Sequence, residues 1–492
     1  MKKTMISLCV VTSYAACAQA ATTQSFSSVQ TDMFAQKGSV SQAWGDYDND
    51  GDLDYLISIK GGEVRLYRND NGMFVSVGAE LGLPVSGDQI RGVSWGDYDN
   101  DGYLDIIGGS NEYPFASRSY VWHNQQGKGF KEVGVETGLA NHGRISRQTN
   151  WVDVNNDGQL DVYAADRAGA NALFYNQDGK FIPAGSESKV YDVRWTVGAC
   201  WFDIDSDGDL DLFLANQNGQ TDAVARNDQG IFTDIAKELG MEQSGRSRAE
   251  GGVGCAVGDF NNDGHLDLYV ATYGLNLLYQ NNGDGSFTEV GKTMGVQEPD
   301  HTVAAAWGDY DNDGLLDLIA VGYHKVDGVS EPYGKLYHNT GSGFAVDERF
   351  PELITAGDHG VEWVDYNNDG ALDLSVTDGY GDTGGHFVFR NHLEDEATAR
   401  MLSILVTDSN GHYTQAGAEV RFYNQTGEIL GTRMVSTGGG YNAQSARPVY
   451  FAAPELAPVK VKVRFMGKAE PVEVTLSPDE FSHRPYVIQR PE

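Results

Sequence analysis

Short runs in which apolar and polar residues alternate make up most of this chain, and one acidic nonapeptide interrupts them at regular intervals. Each acidic stretch follows a run of apolar or small residues such as Val303-Ala-Ala-Ala-Trp307 and precedes another such as Leu316-Asp-Leu-Ile-Ala-Val321. A period of two over four to eight residues predicts β-strands. A third run ends in Asn, at Asn69, Asn124, Asn176, Asn227, Asn281, Asn339 and Asn391. After a Gly-containing turn a fourth run opens on Phe, at Phe74, Phe130, Phe181, Phe232, Phe287 and Phe344. Four short strands per unit, repeated at this length, predict an all-β chain in which each unit is one blade of a β-propeller.

The acidic stretches begin at Asp46, Asp97, Asp153, Asp203, Asp259, Asp309 and Asp365, a mean period of about 53 residues. The seventh unit has no Phe-led fourth run, because after Asn391 the chain passes into Leu393-Glu-Asp-Glu396. The N-terminus supplies the missing piece: Phe26-Ser-Ser-Val29 precedes the first acidic stretch much as Phe287-Thr-Glu-Val290 precedes the sixth. The expectation is a seven-bladed β-propeller over residues 21–393, closed by the N-terminal strand so that two exposed sheet edges disappear. Residues 394–400 read as a linker. Residues 401–492 read as a small C-terminal β domain, with strand-like runs at 401–406, 418–423, 449–452 and 459–465.

The spacing inside the acidic stretches points to metal binding. At positions 1, 3, 5, 7 and 9 they carry Asp46, Asp48, Asp50, Asp52 and Asp54; Asp97, Asp99, Asp101, Tyr103 and Asp105; Asp153, Asn155, Asp157, Gln159 and Asp161; Asp203, Asp205, Asp207, Asp209 and Asp211. The last three carry Asp259, Asn261, Asp263, His265 and Asp267; Asp309, Asp311, Asp313, Leu315 and Asp317; Asp365, Asn367, Asp369, Ala371 and Asp373. Side-chain oxygens from positions 1, 3, 5 and 9 with the backbone carbonyl of position 7 make a flexible all-oxygen cage suited to Ca²⁺, with up to seven ions in all. Mg²⁺ suits it less, since that ion demands tighter octahedral geometry. Position 6 is always Gly, which can take the left-handed backbone that folds the ligands inward. An EF-hand opens with the same spacing, but it needs a Glu at position 12 and flanking helices, and here both are missing.

Charge and composition narrow the function. The chain has 70 acidic against 35 basic residues, a formal charge of −35, which argues against a nucleic-acid partner. Of the acidic residues 25 stand at positions 1, 3, 5 and 9 of the repeats. Residues 1–20, with Lys2 and Lys3, an apolar stretch from Met5 to Ala16 and Ala18-Gln19-Ala20, read as a secretory signal peptide. Tyr14-Ala15-Ala16-Cys17 resembles a lipoprotein cleavage box only faintly, so the expected location is secreted, periplasmic or at the cell surface. No apolar run is long enough to span roughly 30 Å of hydrocarbon, and no transmembrane segment is expected. Export permits a disulfide between Cys200 and Cys255, although one lies three and the other four residues before its acidic motif, and the bond is left open.

In a four-stranded blade the acidic loops share one face, and the segments leading into the first strands share the other. Those segments carry Arg91, Arg144, Arg147, Arg194, Arg246, Arg248, His301 and His359, and the longest hairpins, Asn111-Glu-Tyr113-Pro-Phe115 and Tyr323 to Tyr333, fall on the same side. Arg91, Arg147, Arg194, Arg248, His301 and His359 are the candidate ligand residues, since arginines with exposed aromatics suit an anionic sugar or another carboxylate. The opposite reading pairs each Arg with a neighbouring Asp. No catalytic residues are assigned, because no nucleophile motif or second metal cluster stands out. A polysaccharide lyase or hydrolase at the channel mouth and a protein-interaction scaffold are the competing classes.

The motif D-x-[DN]-x-D-G-x-L-D, followed by L-Y-x-N-x-x-G-x-F and a segment like Ala79-Glu-Leu-Gly-Leu83, resembles the VCBS/FG-GAP repeat over roughly residues 26 to 393. Gly417-Ala418-Glu-Val420, Ser436-Thr-Gly-Gly-Gly440-Tyr441, Val449-Tyr-Phe451 and the run from Val459 to Phe465 resemble an ASPIC/UnbV domain. That family shows F-G-L-G where this chain has Phe451-Ala-Ala-Pro454. Together the two are similar to the family of cartilage acidic protein and its bacterial relatives, which are secreted. The resemblance implies a calcium-loaded extracellular propeller and does not imply a catalytic activity; the expected use is binding or adhesion, with an extracellular glycan or cell-surface protein as partner. It leaves the oligomeric state open.

Overall fold

The computed structural model describes residues 24–110, 119–140, 146–326, 329–355, 357–379, 385–481 and 483–492. The signal-peptide reading of residues 1–20, the Asn111 to Phe115 stretch and Arg144 lie outside them. The protein is all-β and propeller-like. Each acidic loop joins the first and second strands of a four-stranded antiparallel meander, as in Ser39–Gly45, Asp54–Ile59, Glu63–Asp70 and Met73–Ser76. In the first four units the first strands are buried along their whole length, which is why their sequences are small and apolar rather than strictly alternating. The Phe-led fourth strands are mostly exposed, and four of their Phe side chains turn inward: Phe74, Phe130, Phe181 and Phe232.

Strand Ser25–Ser28 pairs antiparallel with His386–His392, Phe26 opposite Asn391, beside Asp373–Thr377 and Val361–Val364. Phe26 meets the Phe350 ring edge-on at 4.9 Å. In the fifth and sixth units the second strand Asp267–Leu275 also pairs with Pro299–Gly308, joining two meanders into one eight-stranded sheet.

Neighbouring units are held by two recurring devices. In six units a Trp of the first strand packs on the unit before it: a Cβ on Gly96 would lie 2.6 Å from the Trp151 ring, so only Gly permits the approach. The Asn that ends the third strand is a buried strut. Asn176 Nδ2 donates to the Leu160 carbonyl in its own unit and, at 2.7 Å, to the Tyr98 carbonyl in the preceding one. Asn124, Asn227, Asn339 and Asn391 make the same pair of bonds, and Asn69 reaches the Tyr366 carbonyl of the last unit at 2.8 Å.

Cys200 and Cys255 form a disulfide. Sheets stacked face to back need bridging residues on opposite faces of their own strands. Cys200 packs toward the fifth unit while Ala199 and Trp201 pack toward the third, and Cys255 packs toward the fourth unit while Ala256 packs toward the sixth. The offset of one residue therefore brings the two sulfurs together.

After the short helix Asp395–Thr398, two sheets make the C-terminal domain. Met401–Thr407 lies between Val449–Ala452 and the parallel Tyr486–Gln489, and the second sheet runs in the order Ile429–Met434, Glu419–Tyr423, Val459–Arg464, Val472–Leu476. Phe422 stacks on Phe451 at 4.1 Å in a core with Leu402, Val420 and Val461. The domain sits against the acidic loops, and its segment Ser436 to Arg447 runs along the first strands of several units. Ala446 N–H donates to the Trp44 carbonyl, Trp95 N–H to the Gln444 carbonyl, and Trp151 N–H to Gln444 Oε1. Thr437 Oγ1 donates to the Trp201 carbonyl, Gly440 bridges Ala305, and Ser445 Oγ donates to Glu362.

Candidate metal centre

Backbone geometry shapes each acidic loop. Position 6 has positive φ, as at Gly51 (91°), and so does position 4: Asn49, Asn100, Asn156, Ser206, Asn262, Asn312 and Asn368 all lie between 55° and 64°. Asn tolerates this region better than most side chains. Two left-handed residues in three curl the loop so that its amides point at its own carboxylates. Position 1 Oδ1 accepts the amide of position 5 and Oδ2 that of position 6, at 3.1 and 2.9 Å for Asp46, with the same pattern at Asp97, Asp153, Asp203, Asp259, Asp309 and Asp365. Asp at position 9 accepts from position 2 and from the strut Asn, as Asp161 does from Val154 N–H (3.1 Å) and Asn176 N–H (2.8 Å).

Several oxygens remain. Asp48 Oδ1, Asp311 Oδ1 and Asp373 Oδ2 are buried and make no hydrogen bond. One oxygen from each of Asp46, Asp48 and Asp50 falls within 4.8 Å of the others, as for Asp97, Asp99 and Asp101, and for Asp203, Asp205 and Asp211. Burial pushes the carboxyls up: Asp46, Asp97, Asp153, Asp203 and Asp259 to about 6, Asp365 to about 7, Asp161 and Asp211 to about 8, Asp267 to about 9. Crowded, buried carboxylates with free lone pairs are a donor set that fits a hard divalent cation. Three position 7 side chains are engaged elsewhere: Asp52, Gln159 and Asp209 cap the turn after the third strand by accepting from Asn71, Asp178 and Gln229 N–H.

Two features escaped the sequence reading. The residue before the strut Asn is Arg68, His123, Arg226, His338 or Arg390 in five units; His123, His338 and Arg390 lean over the loop acids, while Arg68 and Arg226 pair with Asp70 and Asp228. His123 Nδ1 is 3.3 Å from Asp99 and 3.2 Å from Asp105, and Arg390 pairs with Asp369 at 2.9 Å. The position 4 Asn links one loop to the next: Asn49 Nδ2 donates to the Gly102 carbonyl, Asn100 to Gly158, Asn262 to Gly314, Asn312 to Gly370, and Asn156 to Asp209 Oδ1. Asn in six of seven copies was the available signal.

At the other end of the first strands the structure gathers some candidate ligand residues and separates others. Arg147 Nη1 lies 3.3 Å from the Tyr441 hydroxyl, and His359, paired with Asp358 at 2.5 Å, meets the Tyr441 ring edge-on at 5.0 Å. Burial pushes the Tyr441 phenol up, but Arg147, Arg91 and Arg167 outweigh it and bring it below the ordinary value. Arg194 is instead held by Asp192 and Asp234, Arg246 by Asp222, and Arg248 is exposed. His301 stacks on Tyr323 at 5.5 Å. That a tyrosine of the C-terminal domain would stand among these arginines had no signal in the sequence.

Four stretches, residues 46–108, 153–214, 203–270 and 259–320, match the model of the FG-GAP-like repeat, so the chain carries repeats of that family. No curated protein matches it. Among solved structures, an Agrocybe aegerita lectin that recognises non-reducing terminal N-acetylglucosamine is similar at 18% identity over 67% of this chain and 81% of its own, with a TM-score of 0.36. BBS1N in complex with ARL6DN is similar at 9% identity over 73% of this chain and 94% of its own, with a TM-score of 0.44.

Proposed function

We propose that this chain is an exported, calcium-stabilised binding module: a seven-bladed propeller closed by its N-terminal strand, with an ASPIC/UnbV-type C-terminal domain and an anionic extracellular glycan as ligand. The calcium reading is carried by the seven near-identical loops, whose buried carboxylate oxygens, some without any hydrogen bond, crowd within reach of one cation. Calcium would be held by positions 1, 3, 5 and 9 and would neutralise the mutual repulsion there. Ring closure is supported by the Ser25–Ser28 pairing and by the bond from Asn69 to Tyr366, which ties the first unit to the last. The ligand reading rests on the charge of Arg91 and Arg147 around Tyr441, all three of them buried. Melting the mature chain with millimolar calcium and with chelator tests the first part, because a ligand that binds only the native state raises its stability. A higher melting temperature in calcium is expected, and equal temperatures would overturn it. On an acidic-glycan array, Arg91→Gln with Arg147→Gln is expected to lose retention shown by the unaltered chain while keeping its calcium response. Equal retention would overturn the ligand reading.

A further inference from the structure

We propose that the C-terminal domain is a clasp on the acidic-loop face: it orients the loop carboxylates for the cation, so that loading the loops and docking the domain form one coupled equilibrium. This rests on the calcium reading and extends it to residues of the second domain. Arg464, at the end of strand Val459–Arg464, gives Nη2 to Asp203 Oδ2 at 2.5 Å and Nη1 to Glu419 at 3.3 Å. The Thr432 N–H donates to Asp259 Oδ2 at 2.9 Å, and its hydroxyl donates to the Gly264 carbonyl at 3.2 Å. His412 Nδ1 lies 3.9 Å from Asp97 Oδ2.

All three contacts fall on the same atom of the repeat. Oδ2 of position 1 already accepts the Gly amide of position 6, at 2.9 Å in Asp203, 3.0 Å in Asp259 and 2.9 Å in Asp97. Oδ1 of these residues takes the position 5 amide. The domain engages the outer oxygen and leaves the inner one to the loop. A metal-ligating carboxylate held in this way by an outer hydrogen bond is pre-oriented, and removing such a partner typically weakens metal binding about 10- to 100-fold.

Arg433 is an independent observation pointing the same way. It is 7% exposed, its Cζ stands 5.3 Å from the Phe451 ring centre, and its Nε and Nη2 make no hydrogen bond. Asp259 and Asp309, position 1 of two successive loops, are the acids that act on it. Those loops hold three and four carboxylates, so each stays net negative with one divalent ion inside, and their field favours the buried guanidinium only while the domain is docked. The same domain carries the Ser436 to Arg447 segment, whose Gln444 N–H donates to the Val93 carbonyl, so release of the clasp would loosen the segment along the first strands.

Hydrogen exchange on the mature full-length chain tests the coupling, with calcium alone as the probe. Chelation is expected to cost the Thr432 and Gln444 amides at least tenfold in protection before the second-strand amides of the propeller lose theirs. In calorimetric titration, Arg464→Met and Arg433→Met are expected to weaken calcium binding about 10- to 100-fold at the loops they face and to leave the other loops unchanged. Full protection of Thr432 and Gln444 after chelation would overturn the clasp, as would unaltered affinity in a folded Arg464→Met protein. If a variant does not fold, the exchange measurement on the unaltered chain decides. Absence of calcium binding by the unaltered chain would sink the calcium reading itself, an outcome distinct from calcium binding without coupling.

Discussion

His386 shows how far a single side chain can be displaced from its solution chemistry. Its Nε2 lies 2.8 Å from the Tyr67 hydroxyl and its ring 5.4 Å from Phe34, and burial, followed by the charge of Arg65, pushes its pKa down to about 3. The folded chain therefore binds no proton here until well below the point, near 6.5, at which the unfolded chain does. Stability from this group is complete above about pH 6.5 and declines as the pH falls toward 3. Urea unfolding at pH 7 and pH 5 should show an acid loss about 2 kcal/mol smaller in His386→Gln than in the unaltered chain. An identical loss in both would show that the imidazole is protonated in the folded state. The position 4 asparagines belong to the same scale. Their identity was plain in the sequence, but their role was not, because both the left-handed backbone and the bond to the next loop depend on where that loop stands.

Within and between elements the repeat is redundant, and the few departures from it carry information. The fifth unit has Val257 where the other first strands carry Trp, and it is the unit tied to its neighbour by the Cys200–Cys255 disulfide. The bond spans a sequence separation of 55, for which chain-entropy reasoning gives about 4 kcal/mol and experience about 2–4 kcal/mol. Cys255→Ala is expected to lower the unfolding free energy by that amount under non-reducing conditions, and to remove most of the difference that a reductant makes in the unaltered chain. A reductant-insensitive unaltered chain would contradict this. Taken strand by strand, the one-residue offset of the two cysteines leaves the bond open. The offset is the correct parity once the sheets are stacked, since adjacent units present opposite faces to each other.

At the scale of the whole molecule, strand Ser25–Ser28 is separated from its partner His386–His392 by nearly the full length of the repeats. Removing residues 21–36 would expose the edge of that partner and uncover Phe350 and Trp363, both in contact with Phe26. If this strand closes a ring, the melting temperature of the truncated chain falls by several degrees or more, with the loss spread over all repeats. An unchanged melt would refute closure by this strand. The C-terminal domain adds long-range contacts, because its Ser436 to Arg447 segment bonds to first strands that lie far apart in sequence.

The sequence by itself determined what repeats locally: the period-two strands, the acidic loops, the glycine at position 6 and the Phe that opens the fourth strand. These rest on interactions within a few residues, and seven copies averaged out their ambiguity. It also marked the Phe26 segment as the missing fourth strand, because a repeat exposes its own gap. Only the tertiary structure decided what depends on non-repeating partners. The Ser436–Tyr441 stretch is rich in glycine and small residues and has no periodicity, so nothing in it announced that Tyr441 would stand beside Arg147 or that Gln444 would bond to Trp151. Arg433 and Arg464 sit on strands whose alternation fixes which way they face, but which acid they meet is set by how two domains pack. Local pattern records the periodicity a residue obeys; it holds no record of a neighbour that lies more than a hundred residues away and occurs once.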